Sequence, residues 1–140
     1  MKNLTNKLIV ILLLTLFQLS NLRAQDAEVT KLAKQFCHST NNFYYFKDDK
    51  KLSSKVTLPL SQIFDYQEAT YFISGVRKTI MLIPNASIEK AVEKASKYFE
   101  QEKKYTFAVR GQSRTMFIDD KPVYRFYPYK NAIVFEIFEN

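Results

Sequence analysis

Residues 105–138 read YTFAVRGQSRTMFIDDKPVYRFYPYKNAIVFEIF, and this stretch decides the fold. Tyr105, Phe107 and Val109 alternate with Thr106 and Ala108, the two-residue period of a half-buried strand. Gly111 and Gln112 turn the chain. Thr115 to Ile118 and Val123 to Tyr127 flank Asp119-Asp120-Lys121-Pro122, a hairpin signal in which an aspartate takes the left-handed position. Lys130-Asn131 forms the next two-residue turn, because asparagine tolerates positive φ. Ile133, Phe135 and Ile137 then share a face, with Val134, Glu136 and Phe138 opposite. The spacing predicts a meander of about four antiparallel strands.

Upstream, Ser87 to about Lys103 reads as a helix. Ser87 caps it, Glu89 sits in the first turn, and Ile88, Ala91, Val92, Ala95, Tyr98 and Phe99 make one apolar stripe. Glu93 and Lys97 form a supporting pair one turn apart on the outer face. A second helix runs from an Asp26 cap to about Ser39, with Val29, Leu32, Ala33, Phe36 and Cys37 on one stripe. Between the helices, Phe43 to Phe46 reads as a short strand and Lys47 to Lys51 as a solvated turn. Val56 to Leu60 is a candidate strand broken by Pro59, and Ile63 and Phe64 are core contacts. Tyr71 to Ile83 is strand-like, and Gly75 marks either a hairpin turn with Ser74 or a bulge.

Runs of strands with flanking helices predict an α+β domain. One or two helices pack on one face of a curved antiparallel sheet that ends in the four-strand meander. By architecture alone, this element order resembles the cystatin-like and nuclear-transport-factor-2-like families, in which a helix packs on an antiparallel sheet. The resemblance covers most of residues 25–140 and implies a fold rather than an activity, since such folds host many functions.

The first 24 residues read as a secretory signal peptide: Lys2 and Lys7, an apolar run from Leu8 to Leu19, then small and polar residues to Ala24. The run is shorter than the roughly 20 residues that span a membrane comfortably. Cleavage is expected after Ala24, with an uncleaved anchor as the alternative. The membrane is then met only through this segment, and residues 25–140 form a single domain. Losing Lys2, Lys7 and Arg23 reduces the 21 basic residues to 18 against 14 acidic ones. The net charge of +7 falls to about +4, so nucleic acid is not an expected partner. Cys37 is the one cysteine, so no intramolecular disulfide forms. For an exported protein this favours a bacterial periplasmic or secreted setting.

His38 is the one histidine, which excludes multi-histidine metal sites. Helical neighbours point about 100° apart, so Cys37 and His38 form no direct thiol–imidazole pair. The expectation is a buried Cys37 that packs as a small hydrophobe and an exposed or helix-end His38. Gly111 to Thr115 begins like a nucleophile elbow but carries Thr115 where that motif needs glycine, so Ser113 reads as a turn residue. Asp48-Asp49 and Asp119-Asp120 read as turn chemistry. No catalytic set, cofactor or metal is assigned.

The distinctive feature is Tyr124 to Lys130, YRFYPYK. Alternation sets Tyr124 and Phe126 on one face and Val123, Arg125 and Tyr127 on the other. Arg110, Arg114, Tyr124, Arg125, Tyr127, Tyr129 and Lys130 are the candidate binding residues, because tyrosine and arginine are enriched at interfaces. Either face could instead be covered by helices or loops. The leading expectation is an exported, non-catalytic binding domain whose partner is another envelope or secreted protein. Alanine at Arg125 or Tyr127 is expected to weaken binding with little change in melting temperature. The alternative is a carrier of a small apolar ligand, with a small hydrolase ranked below both. An assembly role through a final edge strand ending at Asn140 is a further expectation.

Overall fold

The computed structural model describes residues 6, 7, 9–11 and 26–139. The leader expected over residues 1–24, with its cleavage site after Ala24, lies almost entirely outside the described residues. No helix among the described residues is long and apolar enough to cross a membrane. The sheet is open, curved and antiparallel, and its seven strands run β1-β2-β3-β7-β6-β5-β4 across it. These are β1 (Tyr44–Phe46), β2 (Tyr66–Ser74), β3 (Arg77–Pro84), β4 (Thr106–Arg110), β5 (Ser113–Ile118), β6 (Lys121–Tyr129) and β7 (Ala132–Ile137). The chain lays down β1 to β3, crosses to the far edge, and returns through β4 to β7. The last strand therefore closes on β3, pairing Met81 with Val134 and Leu82 with Ile133. The α+β class and the closing meander are as the sequence predicts.

Strand alternation gives the sheet two apolar faces, and helices cover both, where the sequence reading had placed them on one. Helices α2 (Asp49–Val56), α3 (Leu60–Phe64) and α4 (Ile88–Gln101) lie on the first face. There Leu52, Leu60, Ile63, Phe64, Ala91, Ala95 and Phe99 meet Ile80, Leu82, Met116, Phe126, Ile133 and Phe135. Phe99 stacks on Phe126 and Phe135 at centroid distances of 6.2 and 6.4 Å, while Phe64 meets both rings edge-on. Helix α1 (Glu28–Phe36) covers part of the second face, where Val29, Leu32, Ala33 and Cys37 pack on Phe72, Met81, Ala132 and Val134.

Local chemistry explains the departures from expectation. Asp26 is not the cap of α1: Ala27 holds that position without a side-chain bond, and Asp26 pairs with Lys34. The Glu68 carboxylate of β2 accepts from the Val29 N–H at 3.3 Å, so the sheet itself satisfies a donor at the helix start. Helix α1 also ends at Phe36, short of the Ser39 expected. Lys47 to Lys51 is no simple turn, because Asp48 caps α2 by accepting from the Lys50 N–H at 2.9 Å. Asp49 then receives hydrogen bonds from Ser53 and Tyr66. Val56 to Leu60 forms no strand; Thr57 turns the chain at φ 54 and Leu60 begins α3. Gly75 sits in the β2–β3 hairpin at φ 64. Asp119 and Asp120 both adopt positive φ, and at the last turn it is Lys130, not Asn131, that does so, with φ 52. Strand β4, at the edge of the sheet, is exposed along its whole length, against the half-buried expectation. The edge expected at β7 is absent, since β7 lies between β3 and β6.

Candidate functional site

The second face divides in two. Helix α1 roofs the part over β2 and β3, and its Phe36 ring reaches across to Tyr129 at 5.2 Å and Tyr127 at 6.5 Å. Beyond it, among the described residues, side chains from the strands make the surface.

Glu136 lies at the centre of this surface and is buried, although it is charged. Its register partners place it beside Thr79 of β3 and Arg125 of β6. Arg125 Nη2 donates to both carboxylate oxygens, at 2.9 and 3.0 Å, and Arg77 Nη1 donates to Oε2 at 2.8 Å. The Tyr127 phenol adds a third partner. Burial alone would raise the Glu136 carboxyl, but the hydrogen bonds from Arg125, Arg77 and Tyr127 outweigh it and hold it below the usual carboxylate range. Burial and then the bond to Glu136 push the Tyr127 phenol up. The two guanidiniums also lie against rings: Arg77 is 4.3 Å from the Phe138 centroid, and Arg125 is 5.5 Å from that of Tyr127.

Next to Arg125, β4, β5 and β6 enclose a small cavity of about 200 Å³ lined by Ala108, Arg110, Ser113, Thr115, Phe117 and Arg125. The register explains the lining, since Arg110 pairs with Ser113, Ala108 with Thr115, and Thr115 with Arg125. Among the described residues no acidic side chain lines it.

Of the seven candidate residues, Arg110, Arg125, Tyr127 and Tyr129 share this second face. Tyr129 is half-buried beneath Phe36, and Lys130 at the adjoining turn donates to Gln35 Oε1 at 2.6 Å. Arg114 and Tyr124 belong to the opposite face. Arg114 pairs with Phe126, bonds the Gly111 carbonyl and lines a groove against α4. Tyr124 packs on Phe99, Tyr105 and Phe135. Val123 joins Tyr124 on that side rather than Arg125. Met116 pairs with Tyr124 while Phe117 pairs with Pro122, which leaves Val123 as the extra residue of a bulge.

Arg77, Ser113, Thr115, Phe117, Glu136 and Phe138 complete the surface, and none of them was among the binding residues expected from sequence. The signal for Glu136 was present, as the one charge within the apolar strand Ala132–Ile137. Its partners come from strands whose order the sequence does not state. Ser113 is not a turn residue but the first residue of β5.

Cys37 is buried in the α1 cluster, as expected, and His38 is exposed. Both follow the end of α1, and the thiol meets Ser39 Oγ at 3.2 Å. Among the described residues no group of three or more His, Cys, Asp or Glu converges to hold a metal ion.

No protein-family model matches this chain, and no curated protein or solved structure matches it.

Proposed function

We propose that residues 26–139 form a non-catalytic binding domain, and that a protein partner docks on the strand surface beyond α1. One observation carries this reading. Three guanidiniums, from Arg77, Arg110 and Arg125, share that surface with the single carboxylate of Glu136. The surplus of positive charge selects a partner segment that bears Asp or Glu. Tyr127, Phe117 and Phe138 supply the ring area that such interfaces enrich. Taken with the leader expected at residues 1–24, the partner is another envelope or secreted protein.

The carrier reading has one feature in its favour, a groove of about 480 Å³ between α4 and the β4–β5 hairpin. Ile88, Val92 and Val109 line it, but so do Glu89, Glu93, Glu100 and Arg114, which suits an amphipathic ligand better than an apolar one.

The structure also changes which residue tests the surface cleanly. Arg125 and Tyr127 hold the buried Glu136, so alanine at either disturbs the fold as well as the surface. Arg110 is exposed, and its guanidinium makes no hydrogen bond or ion pair among the described residues. The immobilised protein captures its partner from envelope and secreted fractions, and binding of the identified partner is then measured with Arg110→Glu and Arg114→Glu. Loss with Arg110→Glu and retention with Arg114→Glu, on the opposite face, is the expected result. Undiminished binding to the Arg110→Glu variant would refute the surface.

A further inference from the structure

We infer that the cavity between β4, β5 and β6 is a subsite for a single oxyanion group, a carboxylate or a phosphate, held by Arg110, Arg125, Ser113 and Thr115. This rests on the binding surface proposed above and names the chemical group that enters it.

Three observations converge. The first is composition: the cavity has two guanidiniums and two hydroxyls, set between Ala108 and the Phe117 ring, and no carboxylate. Guanidinium forks and hydroxyl donors are the groups that recognise planar carboxylates and phosphates. The second is placement. Arg110 and Arg125 stand on β4 and β6, on either side of β5, and both line the cavity together with Ser113 and Thr115 of the strand between them. Like charges brought to one cavity repel each other, and an anion between them removes that repulsion. The third is unmet hydrogen bonding. The Arg110 guanidinium has no hydrogen-bond or ion-pair partner among the described residues, and Arg125 Nε has no acceptor while Nη2 is held by Glu136. An oxyanion in the cavity is an acceptor of the right kind for the Arg110 guanidinium, which is open to it.

Size limits the ligand. About 200 Å³ is below the roughly 300–1,000 Å³ of sites that enclose a whole drug-sized molecule. The cavity therefore takes a charged group and leaves the rest of its bearer on the open surface. The neighbouring Arg77–Glu136–Arg125 cluster shows the same face gripping a carboxylate from within the chain. With that carboxylate matched by its own partners, the charge in the cavity is left for an external anion.

The test is calorimetric titration of the purified protein with sodium phosphate, sodium sulfate and sodium acetate, each against sodium chloride at matched ionic strength. Saturable binding of at least one oxyanion is expected. Arg110→Gln should weaken it about tenfold to a hundredfold, the loss of one charge-assisted contact. Ser113→Ala and Thr115→Val should each weaken it less, and Arg114→Gln should leave it unchanged. Acetate binding without phosphate binding assigns a carboxylate, and the reverse assigns a phosphate. No saturable binding, or equal binding to Arg110→Gln and Arg114→Gln, overturns the subsite. Partner binding that fails with Arg110→Glu while no free oxyanion binds leaves the surface standing and removes the subsite. Oxyanion binding in a protein whose partner ignores Arg110→Glu does the opposite.

Discussion

Glu136 is a buried carboxylate that three side chains reach from three different strand positions. Replacing it with glutamine removes the negative charge and one of the two acceptor oxygens that Arg77 and Arg125 share, but both guanidiniums are partly exposed and can turn to water. The expected cost at pH 7 is about 1–3 kcal/mol, read from urea denaturation. The pH dependence has a definite sign. Folding lowers the Glu136 carboxyl below its unfolded value of roughly 4.3, so the stabilisation is complete above that value. It is lost as pH falls through the lower folded value. The gap between wild type and Glu136→Gln should therefore be widest near neutral pH and shrink in strong acid. The partition of faces along β6 was legible from alternation, which separated Arg125 and Tyr127 from Phe126 correctly. It failed at Val123, because a bulge resets the period and leaves no mark in composition.

The elements differ in how plainly their residues announce them. Helix α4 carries its whole description in sequence: a cap, an acidic first turn and a regular stripe. Ser87 accepts from the Lys90 N–H at 3.2 Å, and Ser87→Ala should cost about 1 kcal/mol with no other structural change, as measured by thermal melting. Helix α2 is harder to see, since its only buried residue is Leu52 and its surface is lysine and serine. It forms because Asp48 caps it and because Asp49 is held by Tyr66, a residue of a strand not yet made when α2 is read in order. Helix α1 takes its donor satisfaction from Glu68 on β2, again a partner remote in sequence. For α1 a local pattern proposes the element and a tertiary contact helps fix its start, whereas α2, read as a solvated turn from sequence, is revealed only by its cap and its contact to Tyr66.

At the scale of the whole molecule, Phe99 joins the crossing helix to the sheet, stacking on Phe126 of β6 and Phe135 of β7 and meeting Tyr105 edge-on. It is fully buried. Phe99→Ala should cost about 3–5 kcal/mol, a large part of the roughly 5–15 kcal/mol that holds a domain folded. A steep fall in denaturation midpoint is the expected readout. The α+β class was legible because hydrophobic period and turn residues are local. Strand order was not, because β3 pairs with β7 across α4 and three intervening strands. The charged cluster around Glu136 depends on that pairing and was hidden for the same reason. The topology also has a consequence for synthesis. A chain that leaves the ribosome N-terminus first has β1–β3 and β4–β6 available as two separate ribbons, each with a bare edge. They can join only when residues 132–137 emerge, and until then each bare edge is open to the wrong neighbour. A nascent chain with this order benefits from whatever holds it apart from its copies until its final strand arrives.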